Sequence, residues 1–186
     1  SIGGDISGFE DEYYKGRRPT GLYIPNIKYE PSRYSKDYLR GYAFSGGTYR
    51  ESWGDRAGSD GVGVDFKNRL KQPGKWKIQM GVQGEMLPRF ENSMSLHNSQ
   101  KDKWGIPQVH FNIKWSDNER AMMADAAHQG EEILRKFGAT NIWSNVKDTP
   151  PGLAIHEVGT ARMGRDPKDS VLNSYNQTHD VPNLFV

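Results

Sequence analysis

Five histidines are the first candidates for chemistry in this sequence of 186 residues: His97, His110, His128, His156 and His179. His156 is followed by Glu157, which invites comparison with the zinc-protease helix H-E-x-x-H. That chemistry needs a second imidazole four residues on, so that both rings share one helix face. Thr160 stands there instead, and the reading fails. The remaining histidines show no ligand spacing, so a metal site is not expected. Cysteine is absent, which removes disulfides, thiolate ligands and a cysteine nucleophile together. No G-x-S-x-G elbow and no G-x-x-x-x-G-K-[ST] phosphate loop occur. Gly61-Val62-Gly63 lacks the third glycine of a dinucleotide fingerprint.

One stretch is more specific. His156 is followed by Gly159-Thr160, then Met163-Gly164, with Arg162 between them. Downstream come Ser170-Val171-Leu172-Asn173 and the apolar run Asn183-Leu184-Phe185-Val186, with His179 shortly before it. This pattern resembles the C-terminal signature of the glucose–methanol–choline (GMC) flavin oxidoreductases over about 30 residues. Gly21-Leu22-Tyr23-Ile24-Pro25, Leu39-Arg40-Gly41-Tyr42 and Gly84-Glu85-Met86-Leu87-Pro88 look like the sugar-oxidising bacterial branch.

The resemblance implies a chemistry. Oxidising an alcohol removes the O–H proton and the C–H hydride. In the family FAD takes the hydride and a positioned base takes the proton. Imidazole, with an ordinary pKa near ~6.5, suits that task near neutral pH. His156 aligns with the family's active-site histidine and is expected to be the proton acceptor. Gly159 and Gly164 are either tight turns beside the flavin or ordinary loop glycines. Arg162 is expected to make a structural pair, the alternative being to orient an acidic group, and His179 to cap or pack near the last strand. The substrate would be a sugar or other alcohol. No residue here is assigned to hold the flavin.

The family's nucleotide-binding Rossmann-type domain and second active-site residue have no counterpart in these residues. The sequence therefore reads as a piece of a longer polypeptide, inactive alone, with FAD not expected bound to it. The electron acceptor, the oxidised carbon and the compartment stay open. A rival reading is a non-catalytic carbohydrate-binding or interaction module, which the 5 Trp and 9 Tyr would suit.

The elements that position these residues read as α+β: a mainly antiparallel sheet, one long helix packed on it, and extensive loops. Residues 1–20 read as an irregular lead-in, and 41–63, with seven glycines, as loop. Leu22 to Ile27 read as an extended segment broken by Pro25. Trp76, Ile78, Met80 and Val82 alternate with polar residues, as do Val109, Phe111, Ile113 and Trp115. Residues 76–85 and 108–114 are expected in one antiparallel sheet. Ser116-Asp117-Asn118-Glu119 is a capping box. It opens a helix over 117–137 that ends at Gly138 and lays Met122, Ala126, Ile133 and Phe137 on that sheet. Residues 1–150 are expected to form a substrate-binding domain. Residues 151–186 are expected to form an active-site segment belonging partly to an FAD domain.

Composition bounds the rest. A formal charge of +2, from 25 Lys and Arg against 23 Asp and Glu, argues against a nucleic-acid binder, which would normally carry a basic face. Mean hydropathy is −0.84, and no apolar run could span a membrane. A soluble protein is expected, with self-association possible where Leu184 and Phe185 present an unpaired apolar strand.

Overall fold

The computed structural model describes residues 1–8, 21–27, 35–59, 61–145, 150–153, 155–156 and 158–186. They fall into two units, Ser1–Leu87 with Trp115–Asp148, and Pro88–Lys114 with Thr149–Val186.

The first unit is a five-stranded sheet with a helix on it. Its strands are β1 (Ile2–Ile6), β2 (Gly21–Ile27), β3 (Tyr42–Arg50), β4 (Trp76–Gly84) and a fifth, Thr140–Ser144. The order across the sheet is β2, β3, β4, β1 and then Thr140–Ser144. Every neighbouring pair is antiparallel. The expected α+β class, with a mainly antiparallel sheet and one long helix, is therefore what the chain forms. Two short helices, α1 (Trp53–Ala57) and α2 (Gly63–Lys71), connect β3 to β4.

The lead-in expected over 1–20 is corrected at its start, because Ile2–Ile6 is an inner strand. Gly3 and Gly4 suggested a loop, yet here they allow close approach. A Cβ on Gly3 would lie 2.5 Å from the Trp143 ring. Residues 9–20 lie outside the described residues. The loop expected over 41–63 is also corrected. β3 runs straight through Gly46 and Gly47, and Ser52 caps α1 through a capping box with Asp55. Pro25 falls where the β2–β3 register shifts, between Ile24 and Ile27, which is where a strand tolerates a missing N–H.

The long helix α3 (Asp117–Phe137) starts and stops where its sequence signals stand. Glu119 reaches back to Ser116, accepting its N–H at 2.7 Å and its hydroxyl at 2.5 Å. Gly138 ends the helix at φ 88°, in the left-handed region. Met122, Ala126, Gly130 and Leu134 are its buried row. At Gly130 a Cβ would sit 2.3 Å from Ile2 Cδ1, so the missing side chain lets Ile2 and Phe44 reach the helix. Tyr42, Phe44, Ile78 and Met80 complete this core.

Phe137 corrects the expected stripe, since it is 56% exposed. The buried row steps by four from Met122 to Leu134, which rotates Phe137 to the flank. There it borders an apolar recess with Leu22, Ile24 and Ile133.

The second unit holds a hairpin, β5 (Ser93–Lys101) and β6 (Pro107–Asn112), which forms its own two-stranded sheet. The strand Thr140–Ser144 is thus β7. The expectation that residues 76–85 and 108–114 share one sheet is overturned. Period-two alternation marks two faces but not the partner strand, and in this hairpin the apolar face is not buried, with Val109 49% and Phe111 62% exposed. The C-terminal part of this unit is turns joined by short bridges: Met163 with Leu172, Leu172 with Thr178, and Gln177 with Phe185. Among the described residues no helix is long and apolar enough to cross a membrane.

Candidate functional site

His156 stands in an irregular stretch of the second unit, and its side chain is exposed. Leu153, Ile155 and Val158 around it are 73%, 86% and 91% exposed. Three apolar side chains in water beside one imidazole make a surface suited to a covering partner or ligand. Glu157 lies outside the described residues.

The backbone here takes unusual conformations. Gly152 has φ 88° and Gly159 has φ 103°. Thr160 has φ 51°, a genuine outlier for a β-branched residue. Such strain persists only where surrounding structure enforces it, and it concentrates at functional sites. No sequence rule marks that threonine; its φ is visible only in the fold.

Downstream, a series of turns closes on itself through backbone hydrogen bonds. Arg162 O accepts from Val171 N at 2.9 Å and Leu172 N at 3.1 Å, while Gly164 N donates to Leu172 O at 2.8 Å. The Arg162 guanidinium donates to the Asp169 carbonyl, which is the structural pairing expected of it. Ser170 is buried, and its hydroxyl donates to Asp166 O at 2.5 Å. His179 Nε2 lies 3.2 Å from both Ser170 Oγ and Gly164 O. A Cβ on Gly164 would fall 2.6 Å from Ser170 Cβ, so the residue permits tight packing within the protein. The Asn173 side chain closes the next turn, accepting from Tyr175 N at 2.8 Å and Gln177 N at 3.2 Å.

The structure therefore brings Gly164, Ser170 and His179 together. His156 has no hydrogen-bond partner among the described residues. The Ser170–His179 contact was not legible in the sequence, because the two stand nine positions apart with turns between them.

The other histidines form no ligand set. His97 and His110 meet edge-on at 6.0 Å on the hairpin. His97 Nδ1 accepts N–H groups from Ser99 at 3.2 Å and Gln100 at 3.0 Å. Among the described residues no three His, Cys, Asp or Glu side chains gather as a metal site would require.

Comparison with known proteins assigns the family. The GMC oxidoreductase family model matches residues 88–186, more than half of the chain. The 2-methyl-1,2-propanediol dehydrogenase of Mycolicibacterium austroafricanum is 41% identical over 105 residues, 55% of this chain and 18% of that protein. The gluconate 2-dehydrogenase flavoprotein of Pantoea cypripedii is 28% identical over 163 residues, 78% of this chain and 26% of that protein. The fructose dehydrogenase large subunit of Gluconobacter japonicus is 28% identical over 125 residues, 67% of this chain and 22% of that protein. The chain spans no more than 26% of the length of these relatives. With the family model covering the segment that carries His156, Gly164 and His179, the chain belongs to the GMC oxidoreductases.

Proposed function

We propose that this chain supplies the substrate-binding unit and the catalytic histidine of an FAD-dependent enzyme that oxidises a CH–OH group of a sugar or other alcohol. Residues 1–150 serve as the substrate-binding part, and 151–186 as the active-site segment. The observation that carries the reading is His156, exposed among exposed apolar side chains within the His, Gly-Thr, Met-Gly signature.

The described residues do not fit the nucleotide half of FAD. A dinucleotide cradle needs parallel strands joined through a helix and a glycine-rich phosphate turn. Every neighbouring pair in the five-stranded sheet is antiparallel. No residue of this chain is therefore assigned to hold the cofactor. Flavin, when bound in such an enzyme, supplies the hydride acceptor.

This chain supplies the proton acceptor. With no hydrogen-bond partner for His156 among the described residues, a ring nitrogen is available to accept the substrate hydroxyl proton. Leu153, Ile155 and Val158 exclude water once they are covered, which strengthens that hydrogen bond. Leu184 and Phe185, 48% and 59% exposed, offer a second apolar surface for association.

A carbohydrate-binding module would instead present neighbouring exposed rings sharing a plane. The aromatic pairs among the described residues, Tyr42 with Phe44 and His97 with His110, are edge-on.

The test is expression of a flavoenzyme carrying this sequence, assayed with an artificial electron acceptor against sugars, polyols and simple alcohols. Alcohol-dependent dye reduction by a yellow protein is expected, whereas this chain alone should purify colourless. Stoichiometric flavin on the chain alone, or no alcohol oxidation by the flavoenzyme, would overturn the proposal.

A further inference from the structure

The turns beyond His156 contain a second histidine whose neighbours select its tautomer. His179 Nε2 faces two oxygens at 3.2 Å, Ser170 Oγ and Gly164 O. A carbonyl oxygen only accepts, so Nε2 must carry a proton to bond Gly164. Ser170 gives its own proton to Asp166 O at 2.5 Å, which leaves the Oγ lone pairs facing the same Nε2–H. One N–H is therefore shared between two acceptors. This arrangement is the reverse of a nucleophile and base, because the imidazole donates and the serine accepts.

The bond joins three stretches of chain. Gly164 closes the Arg162 turn, Ser170 lies at the end of the intervening loop, and His179 anchors through its own N–H to Val171 O at 3.0 Å. Without the ring, Gly164 keeps only the bond from its N–H to Leu172 O, while the Arg162 end of the turn keeps its bonds from Val171 and Leu172 N–H and to the Asp169 carbonyl. Upstream of this turn lie Thr160, Gly159 and the exposed His156, for which no side-chain anchor exists among the described residues.

We infer that His179 is a positioning residue for His156: as an Nε2–H donor it pins the Gly164 turn and so aims the segment that carries the catalytic imidazole. The inference rests on the reading of His156 as proton acceptor. His179 touches neither substrate nor reacting atoms in this account. Misplacement of a reacting group by about 1 Å costs on the order of 10²-fold in rate, so loss of the pin should lower kcat by ~10- to 10²-fold. KM should stay within about threefold, since His179 makes no substrate contact.

Two substitutions separate donor from bulk. His179→Phe keeps a ring and removes the N–H. His179→Gln carries an amide N–H to nearly the same point. In this chain, long-range proton–nitrogen correlation spectra should show neutral His179 protonated at Nε2. Amide exchange across 159–164 should accelerate in His179→Phe and return towards the parent rate in His179→Gln. In the flavoenzyme, kcat should fall in the Phe variant and recover in the Gln variant.

A neutral His179 protonated at Nδ1 would overturn the inference. So would a Phe variant with unchanged amides and turnover, or a Gln variant no better than Phe. If His179→Phe does not fold, the tautomer of the unmodified chain and the Gln variant still decide. Failure of the His156 reading looks different: His156→Ala would turn over at the parent rate while the His179 spectra came out as expected.

Discussion

The two buried phenols under α3 make the first unit sensitive to alkali in a way that can be calculated. Tyr38 and Tyr42 both donate to Asp125 Oδ2, at 2.5 and 2.7 Å. They are 6% and 0% exposed. Burial, followed by the hydrogen bond and negative charge of Asp125, pushes both above the ordinary phenol value of 10.0. In the unfolded chain they ionise near ~10. Above that pH the unfolded state releases two protons that the native state keeps. The stability they contribute is therefore fully present below pH ~10 and falls as pH rises through and beyond it. Each retained proton adds about 1.4 kcal/mol per pH unit to the fall, so the pair adds about 2.7 kcal/mol per pH unit. Urea unfolding measured between about pH 9 and 11.5 should show this as a difference in slope from the double variant Tyr38→Phe, Tyr42→Phe. Tyr42→Phe alone should remove about half of it. Ionisations common to all variants cancel in the comparison. Parallel curves for parent and double variant would refute the reasoning. So would native-state phenolate absorbance showing both groups titrating near ~10.

Other consequences follow at single positions. Gly46→Ala would place a Cβ 2.0 Å from the Gln79 carbonyl on the neighbouring strand, and thermal unfolding should show a loss of about 2 kcal/mol or more. Gly81→Ala meets only Ser45 O at 3.6 Å and should change stability by less than about 1 kcal/mol. Glu119 is 3% exposed, and burial alone would raise its pKa. Hydrogen bonds from Ser116, the Leu87 N–H and Asn118 outweigh that and hold the carboxyl below its ordinary 4.5. Its contribution is thus present above pH ~4.5 and lost as pH falls below it, and Glu119→Gln should flatten that acid limb in urea titrations. Glu119→Ala leaves the Ser116 and Leu87 N–H groups without this acceptor and should cost about 1–3 kcal/mol.

Legibility followed the range of the forces involved. α3 was readable to its ends because its signals are local: the Ser116 to Glu119 box, the apolar row and Gly138. β4 was readable from its alternation. β1 was not, because Gly3 and Gly4 mimic a loop, whereas Gly3 lies close against Trp143 and Ile78 and Gly4 against Thr140. Gly46 misled in the same way. The partner of β6 was beyond reach, since alternation is satisfied by any strand of matching register. At the candidate site, His156 was singled out by its spacing from Gly159, Thr160, Met163 and Gly164. The positive φ of Thr160 and the His179 clamp depend on how turns close on one another. No spacing in the sequence encodes that closure.

His156, in the proposed function, takes the proton from an alcohol as it is oxidised. The direct measurement is the rate of flavin reduction by substrate, in a single turnover, for a flavoenzyme carrying this sequence and for its His156→Ala variant. The account predicts a fall of ~10²–10⁴-fold with flavin content retained, the usual worth of a positioned general base. A variant that reduces its flavin at the parent rate, with a full complement of cofactor, would contradict it.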